Sequence, residues 1–131
     1  MTTLADARQV LARFLAARQD PEANAVDFMD EAFTFESPMM RFTDRAAYLD
    51  SHRTFQRLVK GMTMISELYG PEEATLLYDL ETSTPAGVQR TAAHFRIVDG
   101  KVSYISLLFD SAPWRPIFES LEGRSFGEGH G

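Results

Sequence analysis

The sequence predicts an α+β domain in which helices cover one face of a curved, mainly antiparallel sheet, and three observations indicate this class. Two apolar runs, 91–98 and 101–110, are joined by Asp99-Gly100, and an Asp-Gly pair between such runs is a strong hairpin signal. Near the N-terminus, apolar residues recur at helical spacing, at Leu4, Ala7, Leu11, Phe14 and Leu15. Helices precede the strands along the chain. A sheet bent around helices forms a cone whose open end can hold a ligand.

The length and composition fit one domain with a short tail. The chain has 131 residues, of which 44% are apolar, and this is enough for one packed core. We expect a single domain over residues 1–122. Residues 123–131, GRSFGEGHG, are rich in glycine and lack periodicity, so they are expected to form a flexible tail.

Charge, hydropathy and cysteine content argue against a nucleic-acid partner, a membrane span and disulfide chemistry. The formal net charge is −6, and Lys and Arg are scattered, which argues against a nucleic-acid interface. No apolar run reaches the roughly 20 residues that span a bilayer, and residues 1–10 do not resemble a signal peptide. The sequence has no cysteine, so neither disulfides nor thiolate chemistry is possible, and a cytoplasmic location is expected.

The predicted elements follow the α+β order. Thr3 is expected to cap the first helix, Asp20-Pro21 to begin a short second helix, and Thr43 to cap a third that runs from Asp44 to about Val59. A brief strand covers 32–36. The four later strands are predicted near 62–69, 74–83, 88–98 and 101–110, and the segment 112–121 is expected to fold back over the sheet.

Several segments resemble a known superfamily. They are the ending HFRIVDGKVSYISLLFD (94–110) with the following SAP, the FESP turn (35–38), and LLYD (76–79) before PAG (85–87). They are similar to the nuclear transport factor 2-like superfamily, the cystatin-like α+β cone, which includes SnoaL-like polyketide cyclases, ketosteroid isomerases and limonene epoxide hydrolases. The resemblance implies three N-terminal helices on a curved sheet and a pocket for a small hydrophobic molecule. It does not select one activity, because unrelated functions share the fold.

The catalytic sets of two relatives are mostly absent. The base, tyrosine and acid of ketosteroid isomerases correspond to Ser37, Phe14 and Ala93, none of which can replace them. Of the Asp–Arg–Asp set of limonene epoxide hydrolases, only Asp79 is kept. The other two positions hold Leu77 and Leu107.

His52 and Asp79 are the candidate catalytic residues. His52 lies on the inward side of the third helix, where a structural histidine is the more common alternative to a general acid or base. Alternation along the strand places Leu76, Tyr78 and Leu80 on one face and Asp79 on the other. The resemblance instead points Asp79 into the cone and turns the three apolar residues outward. If Asp79 and His52 both point into the cone, we expect their side chains to lie within hydrogen-bond reach, directly or through one water.

The remaining predictions concern the pocket and its partners. The ligand-binding residues are predicted to be Phe14, Phe35, Ser37, Met40, Tyr48, Phe55, Leu77, Ala93, Phe95, Leu107 and Phe109. Ser37 has a simple alternative as a turn residue. No metal-ligand spacing or phosphate loop is present, and no cofactor is expected. A homodimer is expected through the outer sheet face, with an apolar patch formed by Leu76, Tyr78, Leu80, Tyr104 and Leu108.

These observations support three functions. The first is a SnoaL-like enzyme, an isomerase, cyclase or hydrolase, that acts on a small hydrophobic compound with Asp79 and His52 as acid and base. The second is a non-catalytic binding protein for an apolar ligand. The third is a dimeric interaction module. The size and polarity of the cavity would separate the first two from the third.

Overall fold

The computed structural model describes residues 4–122, and the predicted Thr3 cap and the tail 123–131 lie outside this range. Its helices are α1 (Leu4–Gln19), a 3₁₀ turn (Ala25–Phe28), α2 (Arg45–Gln56) and α3 (Arg115–Glu122). Its strands are β1 (Met29–Glu36), β2 (Arg41–Phe42), β3 (Val59–Gly70), β4 (Glu73–Thr82), β5 (Val88–Val98) and β6 (Lys101–Leu108). The predicted α+β order is therefore present.

The strands form one six-stranded mixed sheet in the order β2-β1-β6-β5-β4-β3. All neighbouring pairs are antiparallel except β1 and β6, which are parallel, with Phe35 opposite Ile105. Register shifts occur in β1, in β3 and between β5 and β6. Such irregularities bend a sheet and increase its twist, which curves it around the helices.

The hairpin between β5 and β6 forms as predicted. Asp99 and Gly100 have φ values of 50° and 75°. A two-residue type I′ turn requires positive φ at both central positions, and Asp-Gly is one of the pairs that tolerate it. The turn therefore aligns β5 with β6 from Val98 opposite Lys101 onward.

The hydrophobic core lies between α1 and the inner face of the sheet. Leu11 and Phe14 of α1 are fully buried, and they pack with inward residues of the strands. On β5 the buried and less buried residues alternate strictly, with Thr91, Ala93, Phe95 and Ile97 inside. On β6 the inward set begins with Val102 and Ile105. These buried residues form the part of the inner face that β5 and β6 contribute.

Three local predictions were wrong. The second helix is only the 3₁₀ turn, because Met29 is drawn into β1, where it pairs with Val102 and is fully buried. Asp44, not Thr43, caps α2, and its carboxylate accepts a hydrogen bond from the Ala47 amide at 3.0 Å. α2 also ends at Gln56, since the chain from Val59 onward pairs with β4.

The segment 112–121 packs against α2. Within it, the buried Trp114 contacts Phe55 of α2 and Phe118 of α3, with ring centroids 5.6 Å and 6.1 Å apart. In the described range, none of the helices is long and apolar enough to cross a membrane.

Ile97 and Val98 provide a matched test of this inside–outside assignment. Ile97 is 0% exposed and Val98 is 43% exposed on the next position of β5. We expect Ile97→Ala to lower the free energy of unfolding by about 2–5 kcal/mol, because it removes buried methyl groups and leaves a cavity. Val98→Ala should cost no more than about 0.5 kcal/mol. Urea denaturation of both variants measures the difference, and equal costs would contradict the assignment.

Candidate functional site

The inner face of the sheet changes from sealed to partly open along the strands. At one end, Ala74, Ile97 and Val102 are at most 1% exposed. At the other end, the inward residues Tyr78, Leu80, Leu107 and Phe109 are only half-buried, although Thr82 and Thr91 of the same region are buried. The chain directly after α2 reaches this side, since the Leu58 carbonyl accepts a hydrogen bond from the Ser83 amide. We call this region the open end, and its half-buried residues are His52, Phe55, Tyr78, Leu80, Leu107 and Phe109.

Buried polar side chains at the open end are already hydrogen-bonded. The Thr82 hydroxyl donates to the Gly87 carbonyl at 2.8 Å, and the Gln89 amide donates to the Ala86 carbonyl at 3.0 Å. The Thr91 hydroxyl donates to the Gln89 carbonyl at 3.3 Å. These groups hold the loop between β4 and β5 in place and satisfy the need of buried polar atoms for partners.

Four other side chains form an inner polar cluster, which we define as Arg18, Tyr48, His52 and Tyr78. Arg18 Nη1 donates a hydrogen bond to the Tyr48 hydroxyl at 2.8 Å. The His52 ring stacks on Tyr48, with centroids 6.1 Å apart. Tyr78 lies close enough for the charge of Arg18 to affect its pKa. The cluster thus joins α1, α2 and β4 within an apolar surface.

The environment of the cluster favours uncharged His52 and Tyr78. Burial first, and then the positive charges of Arg18 and Arg53, lower the pKa of His52 to about 3. Burial raises the pKa of Tyr78 to about 12, although the charge of Arg18 acts in the opposite direction. At neutral pH the imidazole of His52 is therefore neutral and Tyr78 keeps its proton.

Gln56 sets the tautomer of His52. The side-chain nitrogen Nε2 of Gln56 lies 3.0 Å from Nε2 of His52. A side-chain amide nitrogen can only donate a hydrogen bond, so His52 Nε2 is the acceptor and the ring proton resides on Nδ1. The nitrogen that would act as a base is therefore already engaged.

The prediction that Asp79 points into the cone was wrong. Asp79 lies on the outer face of β4, directly opposite Arg90 of β5. The Arg90 guanidinium donates two hydrogen bonds to its carboxylate, at 2.8 Å and 3.1 Å. These bonds from Arg90 hold the pKa of the Asp79 carboxyl below its usual value. Asp79 and His52 therefore lie on opposite faces of the sheet and form no pair.

The same correction applies to the other residues of β4. Leu76 is 4% exposed, and it and Tyr78 pack with the core, so these residues and Leu80 point inward. Leu77 points outward and faces Ala92, away from the ligand site predicted for it. Of the expected outer patch, only Tyr104 and Leu108 lie on the outer face. The reason is that α1 covers the side of the sheet that carries Leu76 and Tyr78.

The remaining predicted ligand-binding residues fall into two groups. Five are buried in the core, where they shape the cone: Phe14, Phe35, Tyr48, Ala93 and Phe95. Four are half-buried: Met40, Phe55, Leu107 and Phe109. Met40 receives a hydrogen bond from the Ser51 hydroxyl on its sulfur. Ligand contact by any of these residues stays a prediction.

Ser37 is a turn residue. Its hydroxyl accepts hydrogen bonds from the Met39 and Met40 amides, both at 3.2 Å, and its own amide donates to the Met40 carbonyl. This pattern closes the turn between β1 and β2. Among residues 4–122, no group of three or more His, Asp or Glu side chains is placed to hold a metal ion.

Arg18 is the site residue that the sequence analysis missed. Its spacing from Ala7, Leu11 and Phe14 is that of the buried side of α1, so helical periodicity could have identified it. Tyr78 could likewise have been found from strict alternation with Leu76. Gln56, one turn after His52, had no distinguishing signal.

Comparisons with solved structures identify the fold. A protein from Kribbella flavida DSM 17836 is 21% identical, with a TM-score of 0.70 over 92% of this chain and 97% of that one. An NTF2-like protein of unknown function from Cytophaga hutchinsonii ATCC 33406 is 18% identical, with a TM-score of 0.64 over 86% and 94%. A third, from Kribbella flavida DSM 17836, whose proposed activity is that of a ketosteroid isomerase, is 20% identical, with a TM-score of 0.65 over 86% and 83%.

The chain therefore has the nuclear transport factor 2-like fold, and the resemblance predicted from its sequence is confirmed. At these identities the likeness concerns the fold alone. No protein-family model matches the sequence, and no curated protein matches it significantly.

The low pKa of His52 leads to a pH-dependent stability. The pKa of His52 is about 3 in the folded protein, compared with 6.5 for a histidine in the unfolded chain. Between these two pH values the unfolded chain therefore binds a proton that the folded chain does not. Stability should therefore fall as pH falls from 7 to 5, by up to about 2 kcal/mol from this residue. Urea denaturation at both pH values should show a smaller fall for His52→Gln than for the wild type.

His94→Gln is the matched control for this measurement. His94 lies on the outer face, where its Nδ1 is 2.9 Å from the Thr75 hydroxyl. The comparison of the two variants shows which part of the pH dependence belongs to the inward-facing imidazole. If His52→Gln behaves like His94→Gln, the imidazole of His52 is not held neutral.

Proposed function

We propose that this protein binds a small, largely apolar molecule at the open end of the cone. The observation that carries the proposal is the inner polar cluster, which lies among half-buried apolar side chains on an otherwise sealed inner face. Ligand sites commonly combine an apolar wall with a few polar groups that fix orientation. Here Phe55 and Leu107 would contact the apolar body, and the Tyr48 and Tyr78 hydroxyls would face a polar atom of the ligand.

Binding without chemistry is the favoured function, for two reasons. Asp79 lies on the outer face and cannot take part in acid–base chemistry inside the cone. His52, with a pKa of about 3 and its Nε2 bonded to Gln56, is a weak base. A general base works best when its pKa is near the working pH. The two residues expected to form an acid–base pair thus do not form one.

An isomerase-type activity is the second candidate. One structural neighbour carries a proposed ketosteroid isomerase activity, and a neutral imidazole at the open end is the residue that could accept a proton. For this, a substrate would have to displace Gln56 from His52 Nε2. The solvent-exchange rate of an acidic carbon-bound hydrogen in an added ketone, compared between the wild type and His52→Gln, tests this candidate.

The binding proposal can be tested with 2-naphthylmethanol, an uncharged probe with an aromatic body. Leu107→Trp should lower its affinity by about tenfold or more, because the larger side chain fills the open end. Isothermal titration calorimetry measures the affinity, and circular dichroism checks that the variant is folded.

Asp79→Asn is the control in this experiment. Since Asp79 lies on the outer face, this variant should bind the probe as the wild type does. Loss of binding in Asp79→Asn together with normal binding in Leu107→Trp would place the ligand on the wrong side of the sheet and contradict the proposal.

We also propose that a second copy of the chain covers the outer sheet face. Leu77 and Ala92 face each other there, and Leu108, opposite Ala92, is 64% exposed. The Asp79–Arg90 pair and the hydrogen bond from Tyr104 to Glu36 flank this apolar strip. Apolar surface with a polar border is typical of protein interfaces.

Leu108→Glu tests the dimer. A carboxylate at this position would be buried near its symmetry copy without a partner, so the variant should be monomeric where the wild type is dimeric. Multi-angle light scattering at micromolar concentration measures the mass, and Val98→Glu, on the same face near the hairpin, is the control. A monomeric wild type would contradict the proposal without affecting the ligand site.

A further inference from the structure

We propose that the molecule held in the cone carries a carboxylate, and that Arg18 is the residue that binds it. This inference rests on the proposed function, since it names the chemical class of the ligand at that same open end. It follows from the surroundings of the Arg18 guanidinium, from the charge of the inner polar cluster and from the hydrogen-bond donors that the cluster leaves free.

The Arg18 guanidinium is partly buried and incompletely bonded. Its Nη1 donates to the Tyr48 hydroxyl at 2.8 Å, and its central carbon lies 5.4 Å from the centre of the Phe14 ring. Its Nε is fully buried and has no hydrogen-bond acceptor, the one buried side-chain atom in that condition among the described residues. Buried polar groups without partners are rare and call for an explanation.

Arg18 also has no counter-ion among the described residues. The ion pairs in that part of the chain are Arg53–Asp50 and Arg90–Asp79, both at the surface. Arginine keeps its charge at any ordinary pH, and a buried charge without a partner is costly. Because His52 is neutral and Tyr78 is protonated at neutral pH, the cluster carries the uncompensated positive charge of Arg18.

A structural role at the end of α1 does not fully account for this arrangement. Arg18 lies in the last turn of α1, where a cation interacts favourably with the helix dipole. That interaction needs neither burial among Phe14 and Tyr48 nor an unbonded Nε. An exposed position in the same turn, such as that of Gln19, would serve the dipole without loss of hydration. The inward placement therefore indicates a binding role.

The chemistry of the cluster selects a carboxylate. One positive charge matches one negative charge, and the planar guanidinium fits the two oxygens of a carboxylate. The Tyr48 oxygen accepts from Arg18, so its own proton is free to donate to a ligand. The Tyr78 hydroxyl has no hydrogen-bond partner among residues 4–122. A dianion such as a phosphate would leave one charge unmatched in a half-buried site.

The ligand reaches Arg18 from the open end. Arg18 as a residue is only partly covered, and Tyr48 connects it to His52. The apolar body of the ligand would then extend toward Phe55 and Leu107. The ligand class is thus a small monocarboxylic acid with an aromatic or aliphatic body.

Three probes with the same ring and different charges test this inference. They are 2-naphthoate, 2-naphthylmethanol and (2-naphthylmethyl)ammonium, each titrated calorimetrically at neutral pH. The wild type should bind the carboxylate about tenfold or more tighter than the alcohol, and the ammonium most weakly. Arg18→Gln should lose that preference by weakening only the carboxylate. Arg13→Gln, which removes the same charge from the exposed side of α1, should bind all three probes as the wild type does.

The outcomes separate the two proposals. If the wild type binds the alcohol as tightly as the carboxylate, or if Arg18→Gln keeps the preference, the inference about the carboxylate is overturned and the binding function stands. If none of the probes binds, both the binding function and the inference about the carboxylate are overturned. Should Arg18→Gln not fold, the ranking of the probes on the wild type still decides. Arg18→Lys, which keeps the charge without the planar fork, should then show a reduced preference for the carboxylate.

Discussion

The packing of α1 against the sheet is the constraint on which the rest of the structure depends. Leu11 and Phe14 bury one side of α1 against the inner face, and this contact decides which side of each strand is inside. Since side chains alternate along a strand, a single buried position fixes the orientation of all the others. Tyr78 is therefore inside and Asp79 outside, so the same packing determines which residues can meet a ligand.

Much of the fold could be predicted because its signals are local. The Asp99-Gly100 turn, the helical spacing in α1 and the alternation in β5 each depend on neighbouring residues. The parts that could not be predicted depend on distant ones. β1 extends back to Met29 because it pairs in parallel with β6, about seventy residues later, and β2 exists only as the partner of the end of β1. No short sequence pattern specifies such pairings.

The candidate site was predicted less well, for two different reasons. Asp79 was misplaced because a family position was preferred to the alternation of Leu76, Tyr78 and Leu80, which was correct. A shift of one residue in such an alignment reverses the face of every side chain on the strand. Arg18 was missed as a site residue, although its spacing from Ala7, Leu11 and Phe14 places it on the buried side of α1. His52 was placed correctly on the inward side of α2, but its neutral state follows from tertiary contacts that the sequence does not reveal.

The charge of Arg18 links the two candidate functions. Burial and the positive charge of Arg18 lower the pKa of His52 to about 3, which makes it a weak base. A bound carboxylate would offset that field, and the pKa of His52 would then rise toward its ordinary value. A neutral ligand would leave the field unchanged. Proton transfer inside this cone is therefore physically reasonable for a substrate that carries its own negative charge, whereas an uncharged ligand would simply be bound. The nature of the ligand, more than any further residue of the chain, decides between binding and catalysis.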